Sequence, residues 1–308
     1  MPTRYYHHPD CLEHLTMPGH PERPERLRAI EEALGDSRFD GLDRVEAPNA
    51  DPEWYGLAHP ESYVDRVEKL VPESGMSVID ADTTASPGSW QAVSRAVGAA
   101  VAGVDAVFSG ECDNVFAAIR PPGHHAEKTT AMGFCLINTI AVAARYAQKK
   151  HEAERVAIID FDVHHGNGTQ DIFWEDPSVL FASSHQMPLY PGSGALSETG
   201  SGNIFNAPLS HGDDGYQFKM ALEDRLLPAI DNFKPDLILI SAGFDAHWRD
   251  PLAGLNLTHE DFSEATARIM DLAERHCSNR IVSLLEGGYD LQGLAESTAE
   301  HVNRLMTG

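Results

Sequence analysis

The chain has 308 residues, enough for one large α/β domain or two small ones around a sizeable core. Its 47 acidic residues against 23 basic ones give a formal charge of −24. That balance repels phosphate backbones and so argues against nucleic acid as a partner, while it either steers cationic molecules inward or simply keeps the chain soluble.

The four cysteines, Cys11, Cys112, Cys135 and Cys277, lie far apart with no paired spacing, as reduced thiols of a cytoplasmic protein would. Residues 1–8 carry no apolar leader. The most apolar stretch, 92–108, is interrupted by Ser94, Arg95 and Asp105, so it reads as a buried helix and no membrane is expected. Without repeats, low-complexity tracts or a flexible linker, a single domain over 1–308 is the simplest organisation.

The first eighty residues are polar and loop-rich, with a proline-stiffened stretch at 20–26 leading into a helix over about 24–34. Pro87-Gly88 punctuates the start of a helix through Phe108, where Val93, Val97, Val101 and Val104 recur at helical spacing. A strand over 115–119 ends in Arg120-Pro121-Pro122-Gly123-His124-His125. A helix near 138–149 leads into the strand over 155–160. Another strand at 179–183 precedes a glycine- and proline-rich loop reaching Pro208, followed by a helix near 217–233. The strand at 236–241 runs into Asp245, Thr258 caps the next helix, and the strand at 280–285 ends in Glu286-Gly287-Gly288-Tyr289 before a last helix. Strands alternating with helices specify an α/β, doubly wound, mostly parallel sheet covered on both faces. Such sheets bind ligands at the carboxyl ends of their strands.

The most informative stretch is Arg155-Val156-Ala157-Ile158-Ile159-Asp160-Phe161-Asp162-Val163-His164-His165-Gly166-Asn167-Gly168. A buried apolar run passes into two carboxylates and two imidazoles. Asp160, Asp162 and His164 share one side if the extended geometry persists. Unpaired charge there would be costly to bury, which favours metal ligation over a merely polar strand end. Asp162, His164 and Asp245 would supply three ligands and leave a position open, as catalytic zinc requires. His124 and His125 titrate in the range useful for proton transfer, and Tyr289 can donate to an oxyanion. No serine elbow, phosphate loop or dinucleotide fingerprint competes. Metal-assisted hydrolysis of a carbonyl compound is the reaction class these residues favour. Each has a plainer alternative: loop histidines at 124 and 125, a helix cap or an Arg249 partner in Asp245, a packed turn residue in Tyr289, a structural role for His165. Phe134 and Tyr190 are core aromatics unless they line a tunnel.

The motifs at 120–125, Gly133-Phe134-Cys135, 160–169, Tyr190-Pro191-Gly192-Ser193-Gly194, Ser241-Ala242-Gly243-Phe244-Asp245 and 286–289 occur in one order. Together they resemble the arginase/deacetylase superfamily, in its histone deacetylase and acetylpolyamine amidohydrolase branch, from about His20 to the end. The resemblance implies the arginase/deacetylase fold, with Zn2+ (or Fe2+) on Asp162, His164 and Asp245. It implies His125 as general base and then acid, with His124, held by Asp160, as its electrostatic partner. Asn167 stands where some members carry an aspartate, a class II-like departure that leaves His125 without a carboxylate at that position. A structural K+ is implied near Asp160, Asp162, His164 and Ser183, and a tunnel between Phe134 and Tyr190.

Within that family the expected substrate is a small cationic acetylated amine, acetylpolyamines ahead of acetyl-lysine side chains. Leu252 occupies the place of a glutamate gatekeeper found in a specialised polyamine deacetylase, and Glu22, Asp80 or Asp82 at the rim would have to read the cation instead. Two rivals remain: an arginase-like two-manganese hydrolase, disfavoured by His164 and by the lack of a role for Tyr289, and a non-catalytic binder of acetylated amines. Oligomeric state stays open between monomer and homodimer.

Overall fold

Residues 2–308 are described by a computed structural model. Its strands are β1 (Thr3–His7), β2 (Asp43–Glu46), β3 (Ser77–Val78), β4 (Thr84–Ala85), β5 (Asn114–Ala117), β6 (Val156–Asp160), β7 (Val179–Gln186), β8 (Ile204–Leu209), β9 (Leu237–Ala242) and β10 (Ile281–Leu285). Its helices are α1 (Glu25–Ala33), α2 (Pro52–Tyr55), α3 (Glu61–Leu70), α4 (Ser89–Ser109), α5 (Thr139–His151), α6 (Asn167–Phe173), α7 (Gly215–Ala221), α8 (Leu227–Phe233), α9 (His259–Cys277) and α10 (Leu291–Thr307). Eight strands form one sheet in the order β2-β1-β5-β10-β9-β6-β7-β8, with every neighbouring pair parallel. β3 and β4 make a small antiparallel pair apart from it.

Both faces of the sheet are covered, as its apolar strands require. Successive side chains of β6 point to opposite faces, so Ile159 joins one core and Ile158 the other. The first core packs Ile159, Ile240 and Leu285 against Phe262 and Ile269 of α9 and Leu294 and Val302 of α10. The second packs Ile158, Leu239 and Leu284 against Val97, Val101 and Val104 of α4 and Ile140 of α5. α4 is apolar and long enough to span a bilayer, but most of it is buried inside the fold. It serves as a core helix.

The strand order determines where function can sit. β5, β10, β9 and β6 are consecutive neighbours, and they are the four strands that run into the histidine pair, Tyr289, Asp245 and Asp162. Segments more than a hundred residues apart therefore finish side by side at one edge.

Several elements differ from the sequence expectation. β1 and β2 lie in the stretch read as loop, because they are short and polar: Arg4 points out to Asp43 and Glu111 rather than into a core. β8 begins inside the supposed loop before Pro208; as an edge strand it tolerates that proline. α6 starts at Asn167, where Gly166 and Gly168 signalled only a turn. β6 ends at Asp160, so Asp162 and His164 project from a loop and not from an extended strand.

His301 on α10 illustrates how tightly the first core is closed. It is fully buried between Thr266 Oγ1 (2.7 Å from Nδ1) and Ser283 Oγ (2.9 Å from Nε2). Thr266 donates its own proton to Phe262 O, so it accepts from Nδ1–H, and Nε2 accepts from Ser283. Both ring nitrogens are satisfied in the neutral form, and burial pushes the pKa down to about 3. The unfolded imidazole protonates near pH 6.5, so the unfolded state takes up the proton first and stability falls as pH drops below that point. His301→Gln should flatten the decline between about pH 6.5 and about pH 4 by on the order of 1 kcal/mol per pH unit. Melting temperatures across that range would read it; an unchanged slope would remove His301 from the acid response.

Candidate active site

Three carboxylate and imidazole ligand atoms from Asp162, His164 and Asp245 lie within 4.8 Å of one another, all buried. His164 Nδ1 is 3.1 Å from Asp162 Oδ1 and 3.1 Å from Asp245 Oδ2. Backbone amides aim both carboxylates: Gly287 N–H donates to Asp162 Oδ2 (2.8 Å) and Val163 N–H to Asp245 Oδ1 (2.8 Å). Asp245 thus neither caps α9, which starts at His259, nor pairs with Arg249, which lies over the Trp248 ring.

The electrostatics of this cluster fit a cation. Burial, then the charge of Asp162, raises the pKa of Asp245 to about 7. His164, although burial opposes its charge, is pushed up to about 10 by the two carboxylates. In the absence of a metal, a proton on His164 balances two aspartates, a place a divalent ion can take. Gly287 makes room: a Cβ there would stand 2.6 Å from Asp162 Oδ2 and collide with Asp245 as well. Hard carboxylate oxygens with one imidazole suit zinc or iron(II).

Beside the trio stand the paired histidines, ring centroids 4.0 Å apart. His124 Nδ1–H donates to Asp160 Oδ2 (2.9 Å), and burial is outweighed there by Asp160, Asp162 and Glu286, which raise its pKa well above the ordinary value. His125 Nδ1–H donates to Asn167 Oδ1 (2.8 Å). Burial, then the neighbouring charges of His124 and His164, hold His125 well below its ordinary pKa. One imidazole is charged and the other keeps a lone pair.

The structure adds residues that sequence reading left without a role. Asn167 Nδ2 donates to Glu127 Oε1 (2.9 Å), which fixes the amide with its oxygen toward His125 and places a carboxylate one step behind it. Glu286 Oε2 accepts from the backbone amides of Gly123 (2.7 Å) and His124 (3.1 Å), holding the histidine loop. Asp250 Oδ2 accepts from Tyr289 N–H (2.7 Å), fixing the turn that follows β10. Their signal was only an acidic residue in or near a motif; the strand order supplies the partners.

Tyr289 is buried, with the Arg26 guanidinium 5.0 Å from its ring centroid and Phe134 edge-on at 5.9 Å. Burial, with Asp245 and Asp162, raises its pKa well above the usual phenol value, so the hydroxyl stays a donor. Tyr190 reaches in from the other side, 5.2 Å from the His125 ring and 6.4 Å from His164, and remains 38% exposed. Phe134 and Tyr190 therefore flank the site rather than fill a core. His165 is structural, bonded to Ser193 and Gln170. Ser183 pairs with Asp160 across β6 and β7 and its hydroxyl meets His185 Nδ1 (2.9 Å).

Of the rim residues, Asp82 is half-buried beside Phe134: its Oδ1 accepts from Gly133 N–H (3.2 Å). After burial, Asp82 and then Asp80 contribute to raising the pKa of Tyr190. Leu252 is half-buried, its amide held by Asp250. Glu22 is not at the rim. It is fully buried between Arg120 and Arg26 (3.1 Å), and although burial opposes its charge, Arg120 holds its pKa at about 2. Two internal guanidiniums, invisible in a polar stretch of sequence, claim it as their counterion.

Buried acid–imidazole–acid ligands, an uncharged base and a phenol donor meet at the carboxyl edge of a parallel sheet, the equipment of a hydrolase assisted by a cation. Comparison with known proteins makes the class specific. The sequence model of the histone deacetylase domain matches residues 20–305, and the chain belongs to that family. A probable deacetylase of Archaeoglobus fulgidus is 39% identical over 317 residues, covering 100% of this chain and 87% of that one. A histone deacetylase-like amidohydrolase of Pseudomonas aeruginosa is 40% identical over 277 residues, covering 88% and 73%. The crystal structure of the HDA15 HD domain superposes with a TM-score of 0.94 at 36% identity over 99% of this chain and 88% of that one. The protein is a deacetylase-family hydrolase acting on amide bonds.

Proposed function

We propose that the enzyme is a zinc-dependent amidohydrolase that removes acetyl groups from small acetylated primary amines, acetylpolyamines foremost. The observation that carries the metal is the buried Asp162–His164–Asp245 trio with its repelling carboxylates. Asp162, His164 and Asp245 would hold a divalent ion, whose Lewis acidity would act on the scissile carbonyl and on the attacking water. The chain's own groups do the rest. Phe134 and Tyr190 clasp the methylene chain of the substrate. His125, kept neutral, takes the proton of the attacking water and delivers it to the departing amine. His124, charged against Asp160, and the hydroxyl of Tyr289 stabilise the oxyanion as it develops. A structural K+ near Asp160, Asp162, His164 and Ser183 would stiffen the loop that carries the ligands.

For the substrate, Asp82, held beside Phe134 by Gly133 N–H, and Asp80 two residues before it suit the second ammonium of a polyamine, and the overall −24 charge draws such cations in. The second reading is an acetyl-lysine peptide; Leu252 in place of a gatekeeping carboxylate leaves room for it. Acetate release from acetylputrescine, acetylcadaverine and an acetyl-lysine peptide should be abolished by a chelator and restored by zinc, with higher kcat/KM for the two amines. Higher kcat/KM for the peptide would reverse the substrate assignment, and release insensitive to the chelator would remove the metal.

A further inference from the structure

A second group of side chains of metal-ligating type lies outside the active site. His247, His259 and Glu296 each bring a ligand atom within 4.8 Å of the others. They come from three places: the loop after β9, the first residue of α9 and the second turn of α10.

The backbone fixes their meeting. Trp248 N–H donates to Leu257 O (2.9 Å) and Leu257 N–H to Ala246 O (3.1 Å), a bridge of His247 with Leu257 that ties the β9 loop to the residues leading into α9. His247 is buried, at 2% exposure. On α10, Gly293 and Glu296 are three residues apart and share a face. A Cβ at Gly293 would stand 2.6 Å from His247 Nδ1, so the glycine is what lets the imidazole lie against the helix next to Glu296. Gln292 Nε2 donates to Glu296 Oε1 (2.8 Å), which orients the carboxylate and leaves its other oxygen free to coordinate. The competing contacts are exchangeable: exposed Glu260 Oε1 at 3.1 Å from His259 Nε2, and a long bond of 3.3 Å from Arg249 N–H to His247 Nδ1.

We propose that His247, His259 and Glu296 form a second transition-metal site, accessible from solvent and completed by water. Two imidazoles with one carboxylate select a borderline ion such as Zn2+ over the oxygen-seeking Ca2+ and Mg2+. The bound ion clamps the loop that begins at Asp245 to the start of α10, whose capping residue Asp290 follows Tyr289 directly. It is a stabilising clamp, independent of the deacetylase assignment.

The test counts metal on the full chain, stripped with chelator and dialysed against Zn2+. Wild type should hold two equivalents, and His259→Ala and Glu296→Gln should each hold one, with amide hydrolysis intact because neither residue touches the active site. Asp162→Ala should lose the other equivalent and keep this one. Glu296→Gln keeps the shape of its side chain, so a lower count with an unchanged metal-free melting temperature reports binding and not misfolding. Equal counts in wild type and in the His259 and Glu296 variants would overturn the proposal, whatever becomes of the active-site reading.

Discussion

Tyr289→Phe should slow turnover by about 10²–10³ while leaving a folded protein that still binds metal. The substitution removes one oxygen and nothing else. The ring keeps its place under Arg26 and against Phe134, and the backbone amide keeps its bond to Asp250, because none of these contacts uses the hydroxyl. The hydroxyl is held protonated by burial and by Asp245 and Asp162, so it is a donor throughout the working pH range. Its bond strengthens as the carbonyl oxygen gains charge, so the loss should fall on kcat with KM little changed. Steady-state acetate release, read beside the melting temperature, separates this from a folding defect. Turnover within a few-fold of wild type would show that the phenol does not meet the oxyanion.

The same contacts show how far residues alone specify the site. The apolar run 156–159 ending in Asp160, and its counterparts before Gly123, Asp245 and Glu286, were legible because a buried parallel strand leaves an unbroken hydrophobic signature. The ligand trio and paired histidines followed from them and from the motif order. Partners set by the β5-β10-β9-β6 order were not legible, since periodicity says which residues are buried and not what they face. Glu127 behind Asn167 and Asp250 beneath Tyr289 are of this kind. Glu22 misled in the opposite sense: it sits among prolines and charges that read as surface, yet its neighbours in space are Arg120 and Arg26. The edge strands β2 and β8 and their short neighbour β1 escaped because brief strands with polar residues among the buried ones carry little apolar signal.

Asp245→Asn should cost stability and function together. Without metal, burial and Asp162 disfavour the charge of Asp245, and the bond from protonated His164 Nδ1 offsets them. Asparagine keeps an oxygen for Val163 N–H but turns its amide nitrogen, a donor, toward that Nδ1–H, which should destabilise the chelated protein by on the order of 1 kcal/mol. Zinc should widen the gap. A ligand at a hundred times its Kd adds about 2.7 kcal/mol to the folded state, several degrees in Tm, and the variant forfeits the part contributed by this site along with acetate release. Melting curves with chelator and with zinc, for both proteins, give the four values needed. A variant more stable than wild type under chelation would mean that the repulsion between Asp162 and Asp245 outweighs the bond to His164. An undiminished zinc response would mean that the ion binds without it, and Asp245 would then no longer count as a ligand.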